Sequence, residues 1–248
     1  MSEAVETLDG WYTLHDFRSI DWALWKAADA AERELAVAEL LRLCTDYAAV
    51  VPEKKGAYGQ YQVVGQKADL LFIHMRPTVE ELADAEARFN KTHFADFTSP
   101  AYSYLSVVEL SAYLAKPGVD VEHDPYLQSR LKPELPTTRN VCFYPMSKRR
   151  QGADNWYTLS MEERRELMKN HGRIGREYAG KVKQIITGST GLDDWEWGVT
   201  LFADDPLQFK KLVYEMRFDE ASARFGEFGP FFVGTRLDNP GLARLLQV

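Results

Sequence analysis

The predicted order of strands and helices occurs twice along this chain of 248 residues. Alternating apolar and β-branched residues predict strands, whereas apolar residues three and four positions apart predict helices. Both halves of the chain give the order strand, helix, strand, strand, helix, strand. This duplication predicts two tandem ferredoxin-like βαββαβ units, which is an α+β fold class.

The element boundaries divide the chain into residues 1–114, 115–138 and 139–248. The first part is predicted to contain a helix from Thr78, a helix over Ala31–Val50 and the strands Leu8–Phe17, Gly56–Val64, Ala68–Met75 and Ala101–Leu114. The third part is predicted to contain the helices Ser160–Arg176 and Asp205–Arg217 and the strands Arg139–Met146, Lys181–Gly188, Trp195–Phe202 and Gly229–Leu237. Residues 115–138 carry four prolines and little periodicity, which predicts a long linker or a lid.

Each predicted sheet has helices on one face only, so its other face needs a cover. The neighbouring unit supplies that cover if the two sheets close around a shared interior. The sequence therefore predicts a dimeric α+β barrel built from a single chain.

The charge and cysteine content exclude several classes of function. A formal net charge of −7 argues against a general nucleic-acid or anionic-membrane binder, since those proteins need a broad excess of Lys and Arg. No apolar run approaches the roughly 18 residues of a membrane span, and the N-terminus lacks a basic-then-apolar signal pattern, so we expect a cytoplasmic protein. Cys44 and Cys142 form no Cys-x-x-Cys motif, so zinc-finger and dithiol chemistry have no support.

The strand that opens the third part of the chain ends in a tyrosine, Tyr144, and then in three cations, Lys148, Arg149 and Arg150. One interpretation is a solvated turn after a strand whose tyrosine fills the core. The other is a phenol beside an anion-binding patch at a strand end. The residues alone favour the solvated turn, and they also favour a solvated charge at Arg130.

His171 has the most distinctive surroundings of the five histidines. It is predicted to share a helix face with Leu167 and Ile174, and Gly172 and Gly175 flatten the surface beside it. Glycine inside a helix costs roughly 1 kcal/mol relative to alanine, so two of them suggest the close approach of something large. A flat apolar face suits a histidine that binds a haem iron. The alternative is a core histidine that is hydrogen-bonded to a backbone carbonyl.

Two motifs and the duplicated plan carry a resemblance to a known family. The string Tyr144-Pro-Met-Ser-Lys148 and the helix end Met168-Lys-Asn-His171-Gly-Arg resemble the chlorite dismutase-like superfamily, and within it the coproheme decarboxylases. The resemblance covers essentially the whole chain. It implies an oxidoreductase of haem biosynthesis that uses hydrogen peroxide. Such an enzyme converts two propionates of Fe-coproporphyrin III (coproheme) to vinyl groups through a monovinyl intermediate, and the product is haem b.

The resemblance also implies residue roles and partners. His171 would be the proximal iron ligand, Tyr144 the catalytic tyrosine, and Lys148 a propionate partner or proton donor. The residues implied to line the coproheme site are Arg130, Tyr144, Pro145, Met146, Ser147, Lys148, Gln184 and Ser222. Only residues 139–248 would bind the porphyrin, and residues 1–114 would be a structural partner. The family also implies a homopentamer and transient contact with the enzyme that inserts iron into coproporphyrin.

Two positions refine the expected function. Members that decompose chlorite carry a distal arginine where this chain has Gln184, and a neutral amide cannot hold an anionic oxidant by charge. This difference favours the decarboxylase branch. The apolar face around His171 predicts that its second ring nitrogen lacks a carboxylate partner. Three other functions stay open: a non-enzymatic haem carrier on the same fold, a chlorite dismutase-like or peroxidase-like haem enzyme, and a porphyrin-free scaffold.

Overall fold

A computed structural model of the chain describes residues 6–111, 120 and 122–247. The elements of the first half are β1 (Thr7–Ile20), α1 (Trp22–Ala27), α2 (Ala30–Ala48), β2 (Ala57–Val63), β3 (Leu70–Arg76), α3 (Val79–Asn90) and β4 (Thr98–Ser111). The elements that follow are α4 (Pro125–Leu131), β5 (Asn140–Lys148), β6 (Arg150–Gln151), β7 (Asp154–Asn155), α5 (Met161–Glu177), β8 (Lys183–Gly188), β9 (Trp197–Ala203), α6 (Leu207–Met216), α7 (Glu220–Phe225), β10 (Gly226–Phe228), β11 (Phe232–Arg236) and α8 (Asn239–Leu245). The predicted three-part division also takes in residues 1–5, 112–119, 121 and 248, which lie outside the described residues.

One antiparallel sheet runs through both halves in the order β10, β5, β11, β2, β3, β1, β4, β8, β9, and it closes because β9 also pairs with β5. The first half has the order β2-β3-β1-β4, and the second half has the equivalent order β8-β9-β5-β11. Strands β10 and β11 pair with successive stretches of β5, so together they act as one interrupted strand. The predicted α+β barrel of two ferredoxin-like units is confirmed.

The barrel interior is filled by aromatic side chains from both halves. Phe17 on β1 lies 4.2 Å from Phe232 on β11 and 5.7 Å from Phe143 on β5, measured between ring centroids. His15 crosses the interior, where its Nε2 lies 2.9 Å from the Thr200 hydroxyl oxygen. Burial lowers the pKa of His15 to about 3, because a charged imidazolium would be poorly solvated there. The neutral ring therefore packs as part of the core.

The outer faces of the two halves are covered very differently. In the first half, α2, α3 and α8 cover the outer face, where Tyr47 and Phe89 from the helices pack in one cluster with Phe72 of β3. In the second half, α6 packs Phe209 and Leu212 on the sheet, but no residue of α5 is fully buried. Ordinary amphipathic helices bury one face, so α5 stands out. The second half therefore keeps accessible surface around α5.

Residues 115–138, for which the sequence predicts a linker or a lid, contain the short helix α4 where the chain is described. Asp124 caps α4 by accepting hydrogen bonds from the backbone amides of Tyr126 and Leu127 at 2.9 and 3.0 Å. Leu127 and Leu131 of α4 pack into a small cluster beside β1 and β4. A seven-residue helix that begins at a proline is too short to show helical periodicity in the sequence.

Candidate functional site

Strand β5 presents alternate side chains to the two faces of the sheet. Val141 and Phe143 point into the barrel, whereas Cys142, Tyr144 and Met146 belong to the outer cluster beneath α6. Side chains along a strand alternate with period two, so Lys148 also belongs to the outer face. The end of β5 therefore directs Tyr144 and Lys148 to the same face of the sheet.

Tyr144 is a buried phenol on this outer face, with 8% of its surface exposed. Its ring stacks on Phe231 with 4.4 Å between centroids and lies 6.0 Å from Phe228. Burial raises the pKa of Tyr144 above its usual range, because the phenolate would be poorly solvated. Within the described part of the chain, the hydroxyl has no hydrogen-bond partner. The packing of the ring on Phe231 and Phe228 holds the phenol in place, and its raised pKa keeps it protonated at physiological pH.

Lys148 is also buried, with 8% of its surface exposed. Its ammonium lies 4.5 Å from the ring centroid of Trp156, which fixes its direction by a cation–π contact. Burial lowers the pKa of Lys148 to about 8, although the Asp219 and Glu196 carboxylates pull in the opposite direction. Such a lysine can hold a carboxylate as a cation, or it can give up its proton near neutral pH.

His171 is oriented by a carboxylate. Its Nδ1 lies 2.8 Å from Oδ2 of Asp219, and the Asp219 side chain is only 3% exposed. A carboxylate only accepts hydrogen bonds, so Nδ1 carries the proton and the lone pair of the neutral ring lies on Nε2. No described residue hydrogen-bonds Nε2. The prediction that His171 lacks a carboxylate partner is wrong, because α7 brings Asp219 from 48 residues away.

Asp219 is the functional candidate that the sequence reasoning missed. It is the N-cap of α7, where its side chain accepts a hydrogen bond from the Ser222 amide at 3.1 Å. A sequence signal existed in the spacing of Asp219 and Ser222, which is typical of a helix start. No pattern in the sequence linked this helix cap to His171, which lies 48 residues away. Ser222 lies inside α7, and its hydroxyl oxygen is 3.4 Å from Nδ1 of His171.

The remaining site candidates occupy different surroundings. Gln184 is exposed on β8, and because Ile185 points into the barrel, Gln184 belongs to the outer face. The Ser147 hydroxyl accepts a hydrogen bond from the Glu196 amide at 3.2 Å, and Pro145 is buried on the same strand. Arg130 is exposed on α4, where its guanidinium donates to the Tyr126 hydroxyl at 3.2 Å. The contacts of Arg130 within the described residues do not include the other candidates.

The register of the second half relates Gln184 to the tyrosine. Tyr144 on β5 pairs with Val199 on β9, which pairs with Ile186 on β8. Gln184 is the next outward residue of β8, roughly 7 Å further along the strand. It is therefore displaced from Tyr144 by two strand spacings, roughly 10 Å, across the sheet and by this step along it. Ile186 is 44% exposed, and Met168 on α5 is 43% exposed. Apolar side chains thus stay accessible on both β8 and α5.

The fold and the site together define a class of protein. It is a barrel of two ferredoxin-like units in which one half carries a histidine–carboxylate pair, a buried tyrosine and a buried lysine on its outer face. The family model described as chlorite dismutase matches residues 33–237. The chain belongs to the chlorite dismutase family.

Two solved structures illustrate the range of this similarity. A structure described as a novel heme-binding protein from Thermus thermophilus is 53% identical, covers 100% of this chain and 99% of that one, and superposes with a TM-score of 0.95. A mutant of chlorite dismutase from Candidatus Nitrospira defluvii is 22% identical, covers 96% of each chain and gives a TM-score of 0.76. The second likeness supports the fold alone. Among the described residues, no helix has the length and apolar character needed to cross a bilayer.

Proposed function

We propose that this protein is a coproheme decarboxylase that uses hydrogen peroxide to convert two propionates of coproheme to vinyl groups. The observation that carries the proposal is the His171 imidazole, whose Nδ1 lies 2.8 Å from the Asp219 carboxylate while no described residue hydrogen-bonds Nε2. A neutral imidazole held in this way is the usual protein ligand of a haem iron. The buried Tyr144 and Lys148 in the same half supply the groups that the decarboxylation needs.

The residues around His171 fit a flat iron porphyrin. No residue of α5 is fully buried, and the outer face of β8 carries the exposed Ile186 and Gln184. The macrocycle needs apolar surface on both faces, and its carboxylates need donors at the rim. In the first half of the chain, the equivalent outer face is filled by aromatic side chains such as Tyr47 and Phe89. These features support a porphyrin site in the second half only.

Lys148 is proposed to hold one propionate. An ammonium–carboxylate hydrogen bond is roughly twice as strong as a neutral one, and it is stronger still where water is excluded. The ammonium is already placed by Trp156, so little side-chain entropy is lost when the propionate binds. Asp219 influences the charge of Lys148 and also orients His171. The iron ligand and the propionate anchor are therefore linked through one carboxylate.

Tyr144 is proposed to remove a hydrogen atom from the β-carbon of a propionate. When bound, coproheme together with peroxide supplies the oxidising equivalents. Because burial disfavours the phenolate, Tyr144 loses its electron and its proton together and becomes a neutral radical. The hydroxyl has no partner among the described residues, so it is available to the substrate.

The proposed reaction balances for each propionate. The side chain loses one hydrogen atom from its β-carbon and then a second electron, the bond to the carboxylate breaks, and carbon dioxide leaves as the vinyl group forms. One hydrogen peroxide accepts the two electrons and, with two protons, becomes two molecules of water. Tyr144 recovers its hydrogen atom in each cycle, so one tyrosine serves both propionates in sequence.

A mass measurement tests the proposal directly. The protein is mixed with ferric coproheme, peroxide is added in steps, and the porphyrin is followed by mass spectrometry. We expect one carboxyl group to be lost per peroxide until two are lost, with a monovinyl species in between. Bleaching of the porphyrin without vinyl products would reject the decarboxylase proposal.

Coproheme affinity is expected to fall as pH rises through about 8, the lowered pKa of Lys148. Below this pH the ammonium is charged and attracts a propionate, and above it the neutral amine does not. The loss should be about tenfold, or about 1.4 kcal/mol. Titration at several pH values measures it, and Lys148→Met should flatten the profile. Lys91→Met, at an exposed lysine of the first half, should keep the wild-type profile.

Asp219→Asn is expected to weaken the iron–histidine bond while leaving the fold intact, because the amide keeps the size of the side chain and loses its charge. A carboxylate partner increases the electron density on the imidazole, and loss of such a partner typically costs about tenfold or more in metal affinity or activity. Resonance Raman spectroscopy of the ferrous protein should show a lower iron–histidine stretching frequency. Glu220→Gln removes a neighbouring exposed charge and should leave this frequency unchanged.

A haem carrier on the same fold is the second candidate, because the Thermus thermophilus relative is described as a heme-binding protein. His171 and an apolar slot would suffice for that function. A carrier is expected to release its porphyrin to an acceptor protein and to be indifferent to the loss of the Tyr144 hydroxyl. Product formation by the wild-type protein, and its absence in Tyr144→Phe, separates the two functions.

A further inference from the structure

A concave surface lies on the flank of α6 that faces β11. It is a groove of about 400 Å³, within the range of small-molecule sites. Cys142 and Phe209 contribute buried surface, and Val213, Phe231 and Val233 contribute partly open apolar surface. The lining residues are thus mostly apolar, and such a surface gains free energy when it is covered.

Two cations stand among these apolar residues. Lys210 and Arg217 both line the groove and are exposed, and they lie seven positions apart, on one side of α6. Both contact aromatic rings, since the Lys210 ammonium is 5.7 Å from the Tyr214 ring and the Arg217 guanidinium is 4.0 Å from the Phe228 ring. Neither has a carboxylate within ion-pairing distance in the described part of the chain.

We infer that this groove binds a small amphiphile with a single carboxylate, of which a medium-chain fatty acid is the simplest example. The apolar body covers Phe209, Val213 and Phe231, and the carboxylate lies between Lys210 and Arg217. Apolar surface alone would accept any hydrophobic molecule, and the unpaired cations select an anionic one. The inference concerns the opposite flank of α6 from α5, so it does not depend on the proposed decarboxylation.

Phe231 connects the groove to the candidate active site. Phe231 lines the groove and also stacks on Tyr144 with 4.4 Å between ring centroids. A ligand that packs on Phe231 restricts the movement of that ring and hence of the Tyr144 ring. Binding of an amphiphile in the groove would therefore change the mobility of the Tyr144 phenol.

Calorimetric titration of the full chain with laurate tests the inference, with dodecanol as the uncharged molecule of the same chain length. We expect saturable binding of one laurate. In the double variant Lys210→Gln/Arg217→Gln, laurate affinity should fall by about tenfold or more while dodecanol affinity stays the same. The matched control Arg42→Gln/Lys91→Gln removes two exposed cations from the first half and should bind laurate as the wild type does.

Two results overturn the inference, and a third measurement identifies a second copy of the chain as the alternative. The first is no laurate binding, and the second is equal laurate affinity in the wild type and the Lys210→Gln/Arg217→Gln variant. The third comes from Val213→Glu, which places a negative charge in the groove. Dissociation of an assembly by this variant, seen by light scattering without any laurate binding to the wild type, would show that a second copy of the chain covers the groove instead.

Discussion

Tyr144→Phe is expected to bind coproheme as tightly as the wild type and to lose decarboxylation by more than about 100-fold, equivalent to about 2.7 kcal/mol in activation free energy. The phenylalanine ring keeps the stacking on Phe231, so the packing of the outer face survives. The hydroxyl has no hydrogen-bond partner in the described residues, so its removal leaves no buried group unpaired. The substitution removes the hydroxyl group and with it the hydrogen atom that the proposed mechanism needs.

The control for this prediction is another buried tyrosine of the same apolar cluster. Tyr178 is 6% exposed and packs with Leu212 and Val199, yet the mechanism gives it no role. Tyr178→Phe is expected to keep the wild-type yield of haem b per peroxide, measured by mass spectrometry. A Tyr144→Phe variant that still forms vinyl products would disprove the radical role and favour another hydrogen acceptor.

His171→Ala is expected to lower coproheme affinity by about 100-fold or more and to shift the Soret band of whatever porphyrin stays bound. The variant removes the one protein atom proposed to bind the iron, and it leaves the Asp219 carboxylate buried without its main partner. Absorption titration measures the affinity, and added imidazole should restore part of the wild-type spectrum by occupying the space.

Two exposed histidines provide matched controls for His171. His93 is 54% exposed beside Glu39, and His123 is 80% exposed beside Asp120, so each also has a carboxylate partner. Alanine at either position should leave the Soret band unchanged. An unchanged spectrum in His171→Ala would mean that the iron ligand lies elsewhere, and both porphyrin-based functions would then need a different site.

The helix that carries His171 was predictable because its signals are local. Ser160 and Glu163 form a capping box, in which the Ser160 amide donates to Glu163 at 2.8 Å and the Glu163 amide donates to Ser160 at 3.3 Å. Helix α5 accordingly runs over Met161–Glu177, close to the predicted Ser160–Arg176. The two glycines are less decisive, since a methyl group at Gly172 or Gly175 would meet its nearest neighbour at an ordinary 3.5 Å.

The burial of Lys148, which lowers its pKa, was not predictable from its neighbours in the chain. The run Lys148, Arg149 and Arg150 looks uniform in the sequence, yet only the first side chain is buried. Arg149 pairs with Glu227 at 3.5 Å, and Arg150 approaches Glu196 at 3.9 Å while it stays 69% exposed. Lys148 is buried because Trp156 and β10 lie beside the end of β5. The order of residues in the sequence does not predict these tertiary contacts.

The sequence by itself determined the α+β fold class and the position of His171 on a helix, because side-chain periodicity and helix caps act within a few residues. Only the tertiary structure decided that Asp219 orients His171, that Lys148 is a buried amine and that α6 borders an apolar groove. These properties depend on distances between residues far apart in the chain and on exclusion of water. Both are set only when the sheet closes into a barrel and the helices pack on its outer face.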